Sequence, residues 1–307
     1  MFCALIGHGY WGHILGSKLI KSEVFNLRYI CDFKAWDREH YSYYKSKNIH
    51  VTEEIEDILI DPLVTTVFIA TPPETHYSIA SRVLSSAKHV WLEKPCCTSL
   101  KQITYLQNLA QQKNKTLHLG FITLYSSSLA LMKKKIERRA KTGSVQKLTF
   151  IRENYLHTGA SASSPFDILY DLGVHDLVML HYLYPQIKPN SLSISYEEII
   201  EPYCHWIFEF QNNDLDIKLK LSWDAPVKTR SCIWAQKGHT LSLENNELPF
   251  IRSMKSDSSS TNKNNSEEDL LEKEINSFYR DIQSSQSNIQ FWDAAIFFHE
   301  LMEMLQK

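Results

Sequence analysis

Short apolar runs alternate with amphipathic stretches through the first part of the chain. Residues 2–6, 27–31, 65–70, 89–92 and 116–119 read as strands, and residues 10–21, 34–46, 53–59, 75–86 and 100–113 carry helical spacing. Strands that alternate with helices call for a parallel sheet covered on both faces. The unbroken run Val67-Phe68-Ile69-Ala70 suits a strand buried on both sides. After about Gly120 the rhythm changes. A helical stretch at 129–141 leads to a strand at 145–153, a small-residue loop at 158–164 and a helix from about 166 to 182. Alternating, aromatic-rich runs follow at 192–196, 204–210, 216–223 and 231–235 without helices between them, the pattern of an antiparallel or mixed sheet. Residues 255–268, rich in Ser and Asn, read as a mobile surface loop, and helices at 270–283 and 291–306 close the chain. The expected fold is α/β: a doubly wound Rossmann domain over 1–120, then an α+β domain with an open, mostly antiparallel sheet over 121–307. The C-terminal helix is expected to pack back on the first domain.

The first strand runs into Gly7-His8-Gly9-Tyr10-Trp11-Gly12, a full G-x-G-x-x-G that opens a helix. Gly7 permits a tight turn, Gly9 lets the backbone approach a pyrophosphate, and Gly12 lets helix and strand pack closely. The helix N-terminus then offers unpaired N–H groups to an anion. Asp32 ends the next strand, twenty positions after Gly12, where a carboxylate can accept from ribose hydroxyls and repel a 2′-phosphate. Lys34, two positions on, would offset part of that repulsion. A glycine-rich turn without a ligand is the alternative reading. Thr71-Pro72-Pro73, with His76 entering the next helix, follows the strand at 65–70. In such a sheet the loop lines the ligand groove, or serves only as a rigid turn. Glu93-Lys94-Pro95 stands past the strand at 89–92, where the lysine can reach a substrate oxygen over the nicotinamide region. Asp171 and His175 are four apart and share a face if their segment is helical. On an otherwise apolar helix the pair is either an internal hydrogen bond or part of an active site.

Composition narrows the partners. The 33 Lys and Arg nearly balance the 35 Asp and Glu, which argues against a nucleic acid. The one dense basic stretch, Lys133-Lys134-Lys135 with Arg138 and Arg139, reads as a solvated helix face. Cys3, Cys31, Cys96, Cys97, Cys204 and Cys232 form no C-x-x-C pair and no zinc-spaced cluster, so no metal is expected and the usage fits a reducing compartment. With no basic leader before the first strand and no apolar run of membrane length, a cytoplasmic protein without membrane contact is expected.

Gly-x-Gly-Tyr-Trp-Gly, Thr-Pro-Pro with a following His, Glu-Lys-Pro and Asp-x-x-x-His-Asp occur in this order. Together they resemble the Gfo/Idh/MocA oxidoreductase family over most of the chain, most closely in residues 1–125 and 143–184. Tyr10-Trp11, Leu124-Tyr125, Arg152-Glu153-Asn154 and the run from Asp171 to Leu177 are similar to the branch associated with nucleotide sugars and surface polysaccharides. The resemblance implies a CH–OH dehydrogenase or reductase with NAD, rather than NADP, held by Gly7, Gly9, Tyr10, Trp11, Gly12 and Asp32 together with Thr71, Pro72, His76, Glu93 and Lys94. It implicates Lys94, Asp171 and His175 in catalysis, and Tyr125, Arg152 and Asn154 beside those three in holding the substrate. It also implies a cis bond before Pro95. Either Lys94 or His175 can be the base. An NAD-dependent lyase or glycosidase that recycles its cofactor in place, and a non-catalytic NAD-binding module, are the alternatives. The open sheet of the second domain points to a homo-oligomer.

Overall fold

The computed structural model describes residues 1–33, 38–139, 145–155, 165–200, 205–212, 214–244, 250–255, 258–263, 269–284 and 289–306. The chain divides into two compact units, one of Met1–Ile122 with Leu271–Ile296, the other of Thr123–Leu270 with Phe297–Lys307.

Unit 1 is built on six parallel strands: β1 (Phe2–Ile6), β2 (Asn26–Cys31), β3 (His50–Thr52), β4 (Val64–Ile69), β5 (His89–Glu93) and β6 (Leu117–Gly120), in the spatial order β3-β2-β1-β4-β5-β6. The connecting helices are α1 (Tyr10–Ile20), α2 (Arg38–Ser46), α3 (Ile55–Ile60), α4 (Pro73–Ser85) and α5 (Leu100–Gln112). This is the doubly wound dinucleotide-binding order, whose strand sequence reverses between β1 and β4. The central strands are buried as their continuous hydrophobicity requires, with Val67, Phe68 and Ile69 fully enclosed. The short edge strand β3 has no apolar run to announce it. Residues 34–37, expected to start the second helix, lie outside the described residues, and that helix is formed from Arg38 onward.

The core of unit 1 draws on the far end of the sequence. Helix α9 (Leu270–Ser284) buries Leu271, Ile275, Phe278 and Ile282 in one cluster with Phe25, Phe68 and Trp91. Their spacing is the i, i+4, i+7 stripe of an amphipathic helix. The Phe278 ring stands edge-on to Phe68 and Trp91, and stacks against Phe25 at a centroid distance of 5.9 Å.

Unit 2 carries an eight-stranded sheet formed by β7 (Gln146–Tyr155), β8 (Ser193–Ile199), β9 (His205–Asn212), β10 (Leu215–Ala225), β11 (Thr229–Gln236), β12 (His239–Glu244), β13 (Phe250–Lys255) and β14 (Ser258–Lys263). The spatial order is β14-β13-β12-β11-β7-β10-β9-β8, antiparallel except for the parallel pair β7 and β10. Helix α6 (Ser127–Arg139) precedes the sheet in sequence. One expectation needs correction here. The stretch 255–268 is not all loop, because Ser258–Lys263 pairs antiparallel with β13. Its polar Ser and Thr hide a strand, since an edge strand needs no apolar face. Residues 264–268, like the loop expected at 158–164 and Cys204, lie outside the described residues.

The helix expected at 166–182 is three segments: α7 (Pro165–Ile168), a π-helical turn at Leu169–Gly173 and α8 (Val174–Leu183). Gly173 is small for a reason, since a Cβ there would come within 2.7 Å of Leu169 and 3.1 Å of Leu221 on β10. Strand β12 also lies beyond the expected set. It follows β11 through Lys237-Gly238, both with positive φ. This is the tight two-residue hairpin turn whose handedness matches the twist of the strands and favours glycine. Among the described residues no helix is long and apolar enough to cross a membrane.

If α9 is an integral part of the unit 1 core, Phe278→Ala should destabilise that unit by roughly 3–5 kcal/mol, the usual scale for emptying a buried aromatic site. Urea denaturation followed by circular dichroism checks this against the half-exposed Tyr105→Ala, for which a change within ~0.5 kcal/mol is expected. Equal behaviour of the two variants would contradict it.

Candidate functional site

At the end of β1 the chain turns through Gly7, which has φ +96° and donates its N–H to the Cys31 carbonyl at 2.8 Å. A Cβ at Gly7 would stand 2.5 Å from the Ala70 carbonyl oxygen, and one at Gly12 would collide with the carbonyl oxygen of Gly7. Gly9 is different. Nothing lies within 4 Å of where its Cβ would be. It is also the N-cap of α1 and supplies no side-chain hydrogen bond to the helix. First-turn amides have no acceptor inside their own helix, so an uncapped N-terminus beneath open space suits a pyrophosphate. Tyr10 is largely exposed beside it, and Trp11 is partly buried.

Asp32 follows β2, and its Oδ2 accepts the His8 backbone N–H at 2.6 Å. The acid is thereby fastened to the glycine loop, at the place where a ribose would be read. The His8 ring continues the chain, with Nε2 at 2.5 Å from the Tyr44 hydroxyl and an edge-on contact to His13. Tyr44 on α2 is wholly enclosed, and burial pushes its phenol up to about 12. No spacing rule in the sequence marks His8 or Tyr44.

His76 does not line a groove; its side chain is completely buried. The Nε2 atom lies 2.8 Å from the Thr71 carbonyl oxygen and Nδ1 lies 3.0 Å from that of Pro95. Burial lowers its pKa, against the opposing effect of those carbonyls. The ring therefore holds the loop after β4 to the loop after β5, which is a supporting role that motif position alone could not distinguish from ligand contact. Thr71 also accepts from the Thr75 hydroxyl at 2.7 Å, and Pro72 is the N-cap of α4. The Lys94–Pro95 bond is cis.

Glu93, beside Lys94, is buried with its Oε1 accepting from the Trp91 indole at 3.0 Å. Gly120 leaves it room, since a Cβ there would approach the carboxylate to 3.0 Å. Burial raises the Glu93 pKa, opposed by the indole and by Lys94. Next to it lies a second buried carboxylate that sequence reading missed. Glu274 of α9 is pushed up to about 7 by burial and by the charge of Glu93, against hydrogen bonding from His118. The His118 ring stacks on Trp91 at 4.5 Å, with Nε2 at 3.4 Å from Glu274 and Nδ1 at 3.8 Å from Asp281. Burial disfavours the imidazolium, but the facing carboxylates of Asp281 and Glu274 outweigh it and the His118 pKa is raised.

Unit 2 gathers a second polar cluster. Asp171 sits in the π-helical turn, where its Oδ2 accepts from the Trp223 indole at 2.9 Å. Asp171 lies in this π-helical turn and His175 in the first turn of α8. His175 is partly exposed at the start of α8. Arg152, expected among the substrate-holding residues, is bound side-on to Asp176, with Nε at 2.9 Å and Nη2 at 2.6 Å from the two carboxylate oxygens. Asn154 accepts from Arg230 through its Oδ1, and Tyr125 ends a 3-10 turn before α6. Trp223 and Arg230 are the members of this cluster that sequence reading did not single out, and Asp176 was marked only as the end of the Asp-x-x-x-His-Asp run. Lys94 belongs to unit 1, and Tyr125, Arg152, Asn154, Asp171 and His175 to unit 2.

The parallel order of unit 1, its uncapped glycine turn and its acid after β2 define a dinucleotide-binding Rossmann domain. Residues 1–121 match the Gfo/Idh/MocA oxidoreductase family, NAD-binding Rossmann fold. Among curated proteins, the uncharacterised oxidoreductase YhhX of Escherichia coli is 28% identical over 179 residues, covering 57% of this chain and 51% of YhhX. The chain thus spans about half the length of that relative, and less of some others it matches. Two solved structures are similar throughout. A dehydrogenase (MviM) from Clostridium difficile aligns over 100% of this chain and 98% of its own, with TM-score 0.79 and 17% identity. The UDP-N-acetylglucosamine 3-dehydrogenase GnnA from Acidithiobacillus ferrooxidans aligns over 99% and 96%, with TM-score 0.77 and 17% identity. At these identities the likeness is one of fold, and it extends through both units.

The buried Glu274–His118 pair generates a pH dependence. Both pKa values are raised in the folded state, so the fold holds protons that the unfolded chain would release. Their contribution to stability is complete below the unfolded values and is lost as pH rises through about 7, the value for Glu274. The thermal midpoint should therefore fall between pH 6 and pH 8, less steeply for Glu274→Gln than for the parent, when both are scanned at constant ionic strength. Parallel profiles would contradict the assignment.

Proposed function

We propose that this chain is an NAD(H)-dependent oxidoreductase that moves a hydride to or from a ring carbon of a sugar, the sugar being carried on a nucleotide as in surface-polysaccharide biosynthesis. The observation that carries the proposal is the open space over Gly9 at the uncapped start of α1, with Asp32 fastened beside it. The likeness in fold to a UDP-N-acetylglucosamine dehydrogenase supports the nucleotide-sugar part.

The amides of Tyr10, Trp11 and Gly12 would hold the pyrophosphate, Asp32 the adenosine ribose, and the Thr71-Pro72 loop with Lys94 the nicotinamide end. When bound, the nicotinamide supplies or accepts the hydride. The rest falls to side chains. An alcohol that loses a hydride must also lose its hydroxyl proton, so a base within hydrogen-bond reach is required. His175 takes that role, because an imidazole accepts and returns a proton near neutrality. Lys94 donates to the reacting oxygen and stabilises its developing negative charge. Asp171, held by Trp223, accepts from a neighbouring substrate hydroxyl. The exchanged assignment, with Lys94 as base and His175 as donor, uses the same two groups.

Two measurements test this reading. Fluorescence titration should give tighter binding of NADH than of NADPH, because Asp32 faces the 2′ position; the reverse order would mean that this carboxylate does not read the ribose. A screen of UDP- and dTDP-sugars by NADH absorbance should identify a substrate. With it, Lys94→Ala and His175→Ala should each lower turnover by roughly 10²-fold or more, and His175→Ala should leave NADH affinity unchanged. Near-full turnover in both folded variants would remove the two residues from the chemistry.

A further inference from the structure

On the face of the unit 2 sheet that carries Asn154, two arginines stand directly opposite each other. Arg230 of β11 is the register partner of Arg152 on β7, and like charges in such a pair repel. Arg152 is neutralised side-on by Asp176, whose side chain is 2% exposed. Arg230 is treated differently. Its Nη1 donates to the carbonyl oxygens of Glu153 and Thr229 at 2.7 and 3.0 Å, and its Nη2 donates to Asn154 Oδ1. All three acceptors are neutral. They fix the plane of the guanidinium without cancelling its charge. Among the described residues Arg230 forms no ion pair and its Nε makes no hydrogen bond. The carboxylates whose charge reaches it, Asp176 and Asp171, hydrogen-bond to Arg152 and to Trp223 rather than to Arg230. Burial and the charge of Arg152 lower the pKa of this half-buried cation to about 10, against the opposing charges of Asp176 and Asp171.

We propose that Arg230 is an anion-holding residue of unit 2, oriented by Asn154 and the Glu153 carbonyl to receive a carboxylate or phosphate group of the substrate. A guanidinium held flat, with Nε unused, matches the planar pair of oxygens that such a group presents. Asn154 then acts on the substrate through Arg230 rather than by itself. The proposal rests on the reading of unit 2 as the substrate domain, and it narrows that reading to sugars bearing an acidic group or a nucleotide phosphate.

Calorimetric titration of the full chain, without added cofactor, tests it with D-glucuronate, D-glucose 6-phosphate and UDP as anions and D-glucose as the neutral control. At least one anion should bind ten-fold or more tightly than glucose. Arg230→Gln should remove that advantage, and Arg230→Lys, which keeps a charge but not the planar fork, should restore only part of it. Which anion is preferred separates a carboxylate from a sugar phosphate or a nucleotide. NADH is titrated separately on the same variants and should bind unchanged. Anion affinities equal in the parent and Arg230→Gln, or no preference for anions in the parent, would overturn the proposal. If Arg230→Gln does not fold, full anion affinity in Arg230→Lys would overturn it in the same way. Loss of NADH binding by the parent would instead sink the dehydrogenase reading and leave the anion result standing.

Discussion

A Cβ on Gly12 would collide with the carbonyl oxygen of Gly7, and a Cβ on Gly7 would reach 2.5 Å from the carbonyl oxygen of Ala70. The start of α1, the turn after β1 and the end of β4 thus meet at a point where no side chain fits. That closeness sets the aim of α1 and leaves its first amides facing outward over Gly9. It also brings the His8 N–H to Asp32, so that the acid and the amides share one rigid frame. A bulkier turn would still allow six parallel strands, but it would separate the acid from the first-turn amides.

The second unit depends on a different constraint, the handling of charge beneath a partly open surface. Arg152 and Asp176 cancel one another with paired geometry at 2.9 and 2.6 Å. Such a pair adds little net stability compared with apolar residues, yet removing one partner leaves an expensive buried charge. Its value here is positional. With α8 tied to β7 by this pair, and the π-helical turn tied to β10 through Trp223 and Asp171, the polar groups of the cluster cannot drift independently. In unit 1 the same problem is met by protons instead of counter-ions, as Glu93 and Glu274 are held toward their neutral forms by burial.

Much of unit 1 was legible because its signals are local. Apolar runs, helix periodicity, three glycines and one acid are all spaced by rules of the chain itself. The participation of α9 in this core, by contrast, joins residues such as Phe25 and Phe278 that no local pattern connects. Strand β14 escaped because a polar edge strand carries no hydrophobic alternation, and β12 because Leu241 and Leu243 are its only apolar residues. Arg152 illustrates the limit for the site. Its residue type and its place in a motif pointed to a ligand, and only the fold shows that Asp176 pairs with it. His76 is the complementary case: its position in the Thr-Pro-Pro motif marked a loop that matters, while its ring works from below that loop.

The His76 ring has a mechanical consequence. One imidazole spans the carbonyl oxygens of Thr71 and Pro95, and a neutral ring carries a single N–H for two acceptors. It can bond one loop at full strength while merely abutting the other, and a shift of tautomer exchanges the two. The walls that follow β4 and β5 are consequently braced against each other by a strut with a choice of which end is pinned. A push on the Thr71 side is passed to the peptide beside Lys94 without crossing the sheet.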